Sequence, residues 1–387
     1  MLEYLFYFFT FCTVVQILFL LVYLITIGFY SRKGKKDVSP ISIIVCARNE
    51  IENLRQNIPL LLAQDHTNFE LIVVNDQSTD GTYEYLLELK KQYSNFKLVQ
   101  IDTVPDHIQS KKYAITLGIK AASNDKVLLT DADCTPNSTD WASEMTVENS
   151  FAIGVSLYNK RRGILNLFIR FETYLTAIQY TGNALLGKPY MGVGRNLGYD
   201  KNIFIKNKGF NQIQGVIGGD DDLFVNQHAT RKNVEVVLGK KALVFSKPKT
   251  SISEFINQKK RHLSVGKYYK FSDKVILSFF SFTYIMFWIS GIVIVINEPS
   301  IPVPIENFSI NSAMEAINSA MERFSIRLVL GGFSIRLVLL TILFYVSSKR
   351  FGQRFVPLIL PILDFLYVIY YILIGIVTTF SKKIKWN

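Results

Sequence analysis

The sequence carries little charge for its length. Only 19% of its 387 residues are Asp, Glu, Lys or Arg, whereas 49% are hydrophobic. About a quarter of the residues in an ordinary soluble domain are charged. The shortage argues against a purely soluble protein and predicts membrane-spanning segments. The length leaves room for one sizeable domain beside them.

Cysteine is also scarce, which excludes two classes of small stabilised domain. The three cysteines are Cys12 in an apolar run, Cys46 in a predicted strand and Cys134 after an acidic pair. Their positions form neither a disulfide framework nor a zinc-ligand spacing. This usage is typical of a reducing compartment.

Motifs that contact DNA or RNA are missing as well, although the formal net charge is +12. We therefore expect no nucleic-acid partner.

Four basic residues directly follow the first apolar run: Arg32, Lys33, Lys35 and Lys36. The positive-inside tendency then places residues 31–274 in the cytoplasm. A basic surface there favours anionic lipid.

Long apolar runs are what the sequence has in abundance. They cover Tyr4–Tyr30, Val275–Asn297, Leu328–Ser348 and Phe355–Phe380. Runs of this size are long enough to cross a hydrocarbon core of about 30 Å as helices. The first run lacks the basic start and short apolar core of a cleavable signal peptide, so we expect a retained anchor.

Two of these runs contain a charge. Arg336 lies in the third run and Asp364 in the fourth. Charges at membrane depth are costly and are normally paired or functional. The sequence leaves two possibilities open: the two residues pair with each other, or each reaches a membrane interface.

The number of spans is open too. Four spans would place the basic tail Lys382–Lys385 outside, and three would place the basic loop Lys349–Arg354 outside. Either arrangement conflicts with the positive-inside tendency.

The expected organisation is an anchor at 1–31, an α/β domain at 38–250, a basic interfacial helix at 251–272 and a transmembrane region at 273–387.

The middle of the chain alternates strand and helix patterns. The predicted strands are Ile41–Cys46, Leu71–Val74, Phe96–Ile101 and Val127–Thr130, and the predicted helices are Glu50–Gln64, a segment from Gly81 to Leu89, and Lys111–Ala122. Short apolar strands between helices predict a mainly parallel sheet covered on both faces. Such sheets bind ligands beyond the carboxyl ends of their strands. Further on we predict a helix at Leu165–Leu186 with an exposed or interfacial aromatic face.

An acidic pair follows the fourth predicted strand. Asp131 and Asp133 are one residue apart, so both carboxylates can face one divalent ion. Mg²⁺ and Mn²⁺ prefer such oxygen ligands and often bridge carboxylates to phosphates. Asp76 follows the second strand, where it either accepts hydrogen bonds from a nucleoside or belongs to a plain turn. Glu50 stands at a helix start whose free N–H groups favour anions.

Two polar clusters lie further along the chain. Asp220, Asp221 and Asp222 are either three acids suited to a helix start, or a site where mutual repulsion raises proton affinity and provides a general base. Gln258, Arg261 and His262 fall on one helix face. Arg261 there can bind a pyrophosphate through two hydrogen bonds. The alternative is a basic helix that faces the membrane.

Taken together, the motifs resemble those of a known family. ARNE, VNDQSTDGT, SKKYAITLGI, DADC, GVGRNLGYDK, GGDDDLF and QKKRH follow one another between Pro40 and Tyr269. Their order and spacing are similar to those of the membrane-bound family 2 glycosyltransferases. The resemblance implies a GT-A fold, and bacterial members with one N-terminal and several C-terminal transmembrane segments are the most similar.

The resemblance also implies roles for individual residues. Nucleotide-sugar binding falls to Ala47, Glu50, Asp76, Lys111, Asp131, Gln258 and Arg261. The metal, Mg²⁺ or Mn²⁺, falls to Asp133 with Asp131. The acceptor side is formed by Gly194, Arg195, Asn196 and His262, and Asp220 is the catalytic base of an inverting transfer.

Three residues depart from the family pattern. Asn75 replaces the first of two aspartates, and Gly219 replaces the Glu before the base. His262 replaces a Trp that is prominent in processive polysaccharide synthases. We therefore expect transfer from a nucleotide-diphosphate sugar to a lipid or glycan acceptor at a bacterial inner membrane, with the catalytic domain in the cytoplasm. The alternatives are a processive synthase, a non-catalytic nucleotide-binding scaffold and a transporter subunit.

Overall fold

The computed structural model of the protein describes residues 2–32, 37–297 and 310–380. Three lysines of the basic run, Lys33, Lys35 and Lys36, lie outside these residues, as does the tail Lys382–Lys385. The fold is mixed α/β. A central sheet sits beside a bundle of long apolar helices.

The helices are α1 (Leu2–Gly28), α2 (Ile51–Leu62), α3 (Thr82–Gln92), α4 (Ser110–Ala121), α5 (Trp141–Met145), α6 (Ile164–Leu185), α7 (Lys201–Lys206), α8 (Asp222–His228), α9 (Ile252–Val265), α10 (Phe271–Asn297), α11 (Ile310–Phe351) and α12 (Leu360–Phe380). The strands are β1 (Ile41–Ala47), β2 (Phe69–Asp76), β3 (Phe96–Ile101), β4 (Lys126–Asp131), β5 (Cys134–Pro136), β6 (Phe151–Ile153), β7 (Ser156–Tyr158), β8 (Leu197–Asp200), β9 (Val234–Val236) and β10 (Val244–Ser246).

Seven strands form the central sheet in the order β3-β2-β1-β4-β8-β6-β9. The first four run parallel, and β8 runs antiparallel to both of its neighbours. A second sheet has the order β5-β10-β7. The prediction of a mainly parallel sheet is confirmed, and all four predicted strands are present.

Both faces of the sheet are covered, as the apolar strand sequences predict. Ile43 on β1 belongs to a buried cluster with Ile58 of α2, whereas Ile44 belongs to the cluster on the other face with Ile115 of α4. Successive residues of a strand point to opposite faces, so an all-apolar strand needs a cover on each side. Gly118 brings α4 close: a Cβ there would lie 2.6 Å from Cγ2 of Ile44.

Within the described residues, four helices are long and apolar enough to cross a membrane. Their candidate spans are Glu3–Gly28, Phe271–Asn297, Ile326–Phe351 and Pro357–Thr378. The loop after α11 lies against the sheet domain, because Gln353 donates a hydrogen bond to the carbonyl of Tyr158 at 2.6 Å. The basic loop and the domain therefore lie on the same side of the bundle. This agrees with the arrangement of four spans.

The charges within the third and fourth spans pair with each other. Arg336 and Asp364 form an ion pair and are 2% and 1% exposed. Asp364 also accepts hydrogen bonds from the hydroxyl of Tyr284 and from the indole of Trp288, both on α10. Of the two possibilities left open by the sequence, pairing is the one observed. The network joins α10, α11 and α12.

Helix α6 differs from its prediction. We expected an exposed or interfacial aromatic face, but Phe171, Tyr174 and Tyr180 are at most 1% exposed. Phe171 stacks on Phe344 of α11 with ring centroids 5.4 Å apart. The physical reason is that the spans cover this face, while the other side of α6 packs on the sheet domain. α6 is therefore a shared core element.

Candidate active site

Three strands bring their polar ends to one edge of the sheet. β1 ends at Ala47, β2 at Asp76 and β4 at Asp131. In the strand register Ala47 lies beside Asn75, and Cys46 lies beside Asp131. Residues predicted from separate motifs thus share the carboxyl edge, which is where parallel sheets bind ligands.

Asp76 has one satisfied and one unsatisfied oxygen. Its Oδ2 accepts a hydrogen bond from the hydroxyl of Ser110, the first residue of α4. Its Oδ1 is buried and has no hydrogen-bond partner among the described residues. A buried acceptor without a donor is costly, so this atom is suited to a donor group of a ligand.

Glu50 precedes the first residue of α2 and accepts a hydrogen bond from Asn53. Burial raises the pKa of the Glu50 carboxyl, and the negative charges of Asp133 and Asp131 raise it further. Asn57 of the same helix donates to the carbonyl between the two aspartates at 2.8 Å, which holds α2 against the acidic pair. The helix start and the acidic pair meet at one place.

The acidic pair is supported from a second strand. The hydroxyl of Ser246 on β10 donates to Oδ2 of Asp133 at 3.0 Å. Ligand atoms of Asp131, Asp133 and Cys134 all lie within 4.8 Å of one another. Two carboxylates at this separation suit a divalent ion that prefers oxygen, so the residues fit Mg²⁺ or Mn²⁺.

Lys111 lies between the acidic pair and the aspartate cluster, which are far apart in sequence but close in space. Its Nζ lies 3.1 Å from Asp131 and 3.5 Å from Asp220. Although burial acts in the opposite direction, the two carboxylates raise the pKa of Lys111 above its ordinary value. The same lysine lowers the pKa of Asp131 against the effect of burial. The site therefore holds a fixed positive charge between two carboxylates.

The three aspartates of the cluster have different partners. Oδ2 of Asp221 accepts from the backbone N–H of Gly194 at 2.7 Å, and Asp222 accepts from the hydroxyl of Tyr269 at 3.0 Å. Burial, together with the neighbouring aspartates, raises the pKa of Asp221 and of Asp222. Two members are thus committed to structural hydrogen bonds, whereas Asp220 faces Lys111.

The backbone before Asp220 needs glycine. Gly218 and Gly219 have φ values of +79° and +80°. L-residues rarely adopt this conformation, and glycine does so without steric cost. The departure from the family pattern at Gly219 therefore coincides with a left-handed turn that presents Asp220.

The predicted acceptor loop separates into two parts. Arg195 lies over the ring of Tyr158 at 4.8 Å and lines a large cavity. Asn196 is fully buried, and its side chain bonds to the indole of Trp141 and to the carbonyls of Val155 and Ala242. The structure therefore does not bring the side chain of Asn196 into the cavity. The hydrogen bonds of this side chain hold the loop against the interior of the domain.

Helix α9 contributes the last predicted group. Oε1 of Gln258 accepts from the hydroxyl of Tyr158 at 3.3 Å. Lys259, expected to belong to a basic interfacial surface, is instead buried in an ion pair with Glu172 of α6. Arg261 lines the cavity. The ion pair fixes the helix on α6 so that Gln258 and Arg261 face the site.

These residues surround a cavity of about 480 Å³. Its lining includes seven of the predicted site residues: Lys111, Asp131, Arg195, Asp220, Gln258, Arg261 and His262. Ala47, Glu50, Asp76 and Asp133 are not part of this lining. The cavity continues away from Asp220 to α10 and α12, where Ser281 and Tyr371 line it.

Several contributors were not predicted from the sequence. Ser110 precedes Lys111 in the motif SKKYAITLGI, so this motif could have indicated Ser110 as a site residue. Ser246, Glu172 and the tyrosines of α12 carry no such signal, because they reach the site only through tertiary packing.

Comparisons with known proteins identify relatives of part of the chain. Residues 42–146 match the family described as Glycosyl transferase family 2. The poly-beta-1,6-N-acetyl-D-glucosamine synthase of Staphylococcus epidermidis is 33% identical over 98 residues, which are 25% of this chain and 23% of that protein. The probable glycosyltransferase YdaM of Bacillus subtilis (strain 168) is 31% identical over 107 residues, 27% of this chain and 25% of that protein. The matches thus span about a quarter of each relative.

A solved structure covers much more of the chain. The mannosyltransferase PcManGT from Pyrobaculum calidifontis, in complex with GDP-Man and Mn²⁺, superposes with a TM-score of 0.56 at 16% identity. The superposition covers 88% of this chain and 99% of that one. At this identity the likeness establishes the fold. Residues 42–146 therefore match family 2 glycosyltransferases, and the described part of the chain combines a GT-A fold with four helices that are long and apolar enough to cross a membrane.

Proposed function

We propose that the protein is a metal-dependent, inverting glycosyltransferase that moves a sugar from a nucleotide-diphosphate donor to a membrane-associated lipid or glycan acceptor. One observation carries the proposal. Asp131 and Asp220 come from distant segments, yet both line one cavity that continues to the spans, and Asp76 lies at the same sheet edge as Asp131. The bacterial relatives favour a cell membrane, with the domain on its cytoplasmic side.

The donor occupies the carboxyl edge of the sheet. Oδ1 of Asp76 accepts a hydrogen bond from the nucleoside, near Ala47 and Glu50. Arg261 and Gln258 contact the diphosphate from α9, because a guanidinium forms paired hydrogen bonds with phosphate oxygens. Each of these groups binds the donor without taking part in bond cleavage.

Asp133 and Asp131 would hold the divalent ion. When bound, such an ion neutralises the charge that develops on the leaving diphosphate. The fit rests on the two carboxylates and on the Ser246 hydroxyl that orients Asp133. Lys111 adds a positive charge beside Asp131.

Asp220 is the general base. It accepts the proton of an acceptor hydroxyl as that oxygen forms a bond to the anomeric carbon. The bond from this carbon to the diphosphate oxygen breaks in the same step, and the electron pair leaves with the diphosphate. One displacement from the opposite face inverts the anomeric configuration.

Processive synthesis is the second candidate, and the cavity that reaches α12 favours it. His262 stands against it, because the family Trp is replaced at that position. The length of the product separates the two. Single transfer gives one added sugar per acceptor, whereas a processive enzyme gives long chains while most acceptor is still unused.

A screen of nucleotide sugars tests the proposal. The full chain in detergent is incubated with UDP-, GDP-, CDP- and dTDP-sugars, and nucleoside diphosphate release is measured with Mn²⁺, Mg²⁺ or EDTA. We expect at least one donor to be hydrolysed with metal and not with EDTA. Asp200→Asn is the matched control, since Asp200 pairs with Lys126 at the amino end of β4. Binding of donor without turnover under all conditions would instead support the scaffold.

A further inference from the structure

The membrane side of the cavity has a distinctive lining. Ten lining residues come from helices α6, α10 and α12, and six of them carry a hydroxyl group: Thr176, Ser278, Ser281, Tyr367, Tyr370 and Tyr371. Leu277 is the single aliphatic member of this set. Hydroxyl, amide and aromatic groups make up most of the rest, although the set lies among apolar helices.

Two charged side chains, Glu172 and Lys274, line this end, and the first is neutralised within the protein. Glu172 pairs with Lys259, and both side chains are less than 10% exposed. Lys274 donates to the carbonyl of Lys267 at 3.4 Å. The wall therefore presents hydroxyls and ring faces more than net charge.

Helix α12 has two clearly different faces. Tyr367 and Tyr371 line the cavity, whereas Leu373 and Ile376 on the outside are 58% and 53% exposed. Asp364 lies one turn before Tyr367 and two before Tyr371, on the same face. The ion pair of Asp364 therefore fixes the rotation of α12 that turns its tyrosines inward.

This lining chemistry discriminates between acceptors. A hydrocarbon chain packs best against aliphatic walls and cannot exchange hydrogen bonds with the hydroxyls of this set. A carbohydrate offers C–H surfaces that pack on aromatic rings and hydroxyls that exchange hydrogen bonds. The tyrosine wall matches the second and not the first.

We propose that the wall formed by Tyr367, Tyr370 and Tyr371 is a binding site for the carbohydrate part of the acceptor. The proposal rests on the function proposed above and names the acceptor class of that site. Sugar units that precede the reacting hydroxyl lie along α12, and the hydroxyl itself reaches Asp220.

Steady-state kinetics with soluble probes test the site. Chito-oligosaccharides, cello-oligosaccharides and a short-chain prenyl phosphate are each added to the full chain with its donor. We expect an oligosaccharide to accelerate nucleoside diphosphate release, and Tyr370→Leu to raise its KM about tenfold while leaving donor hydrolysis unchanged. Tyr370→Phe keeps the ring and gives a smaller increase. Leu373→Ala, on the outer face of the same helix, is the matched control.

The outcomes separate this proposal from the one on which it rests. Acceleration by the prenyl phosphate alone, with unchanged kinetics in both tyrosine variants, would overturn the carbohydrate site and leave the transferase intact. Absence of donor hydrolysis in the unmodified chain would instead overturn the proposed function itself.

A second inference concerns Lys112, next to the lysine of the active site. Its side chain is 1% exposed and donates to the carbonyls of Ile213 and Val216, the first at 2.6 Å. The two carbonyls lie five and two residues before Gly218, in the segment that leads to the proposed base. The geometry points to Lys112 as a positioning residue that holds this segment in place.

Hydrogen exchange tests this role without relying on activity. We expect Lys112→Met to increase exchange at the amides of 213–219 and to lower kcat while the KM for donor stays the same. Lys112→Gln keeps a donor and restores part of the protection, which also guards against a simple folding defect. Lys120→Met, exposed on the same helix, is the control. Unchanged exchange in a folded Lys112→Met variant would exclude the positioning role.

Discussion

The two ends of the cavity differ in how they handle charge. At the sheet end, Lys111, Asp131 and Asp220 line the cavity with charged groups in close contact. At the membrane end, Glu172 is neutralised by Lys259, and tyrosine hydroxyls line the cavity. One end is built for a charged ligand and the other for a neutral polar one.

On the proposed function, the difference explains how one cavity would serve two substrates. Electrostatic attraction to a diphosphate is strong where charges face each other in a confined space. Hydroxyl and ring contacts are weaker singly and depend on shape. Changes at the sheet end should therefore impair both donor hydrolysis and transfer, whereas changes at the membrane end should spare donor hydrolysis.

The largest effect is expected at Asp220. In Asp220→Asn the base is lost, so transfer should fall about 1,000-fold, within the range of general-base catalysis. Donor affinity should change little, because the nucleotide contacts lie elsewhere. Rates of sugar transfer test the loss of the base, and equilibrium binding of the nucleoside diphosphate tests whether donor affinity is unchanged. Turnover near the unmodified rate would remove Asp220 from the mechanism.

The ion pair at the membrane end gives the next largest effect, on stability. Arg336→Met leaves Asp364 buried and unpaired, which should cost about 3 kcal/mol of unfolding free energy. Thermal unfolding in detergent measures the loss. In the double variant Arg336→Met with Asp364→Asn the charge is gone and an acceptor for Tyr284 remains. We expect most of the stability to return; an equally unstable double variant would contradict the explanation.

Asp133→Ala should separate metal binding from nucleotide binding. Loss of a direct ligand is expected to weaken metal affinity at least about 100-fold, since even outer partners of metal ligands contribute 10- to 100-fold. Donor binding should then no longer depend on Mn²⁺. Titration calorimetry with and without the ion measures this, with Asp200→Asn as control. Metal-dependent binding that survives in Asp133→Ala would assign the ion to other residues.

Ser110→Ala should have the smallest effect. The hydroxyl orients Asp76, and loss of one such hydrogen bond costs about 1 kcal/mol. Nucleoside diphosphate affinity should therefore fall about fivefold, and oligosaccharide KM should not change. An effect of the same size on both substrates would mean that the two ends are not independent.

The parallel half of the sheet was predictable, and the reason is local. Leu71–Val74 and Val127–Thr130 are continuous runs of apolar or β-branched residues, so they define strands without tertiary information. β6, β7 and β9 have three residues each, which is too short for any periodicity to emerge. Their position depends on packing that the sequence alone does not reveal.

The site residues also differ in how far the sequence could predict their positions. Lys111, Asp131 and Asp220 belong to motifs and lie together. Asn196 belongs to a motif too, but a motif does not say where an amide points, and this one serves the domain interior. The partner of Arg336 was undecidable because it lies on another helix, and helix rotation is set by packing.

The tyrosine wall lies near the end of the described chain, so the ribosome synthesises it after the sheet end of the cavity. Asp131 and Asp220 precede Tyr367 along the chain, so the sheet end leaves the ribosome first. At roughly 5–20 residues per second, the interval is on the order of ten seconds. A chain in synthesis therefore acquires its donor end before its acceptor end. On the proposed function, transfer would begin only after α12 has packed against α6 and α9.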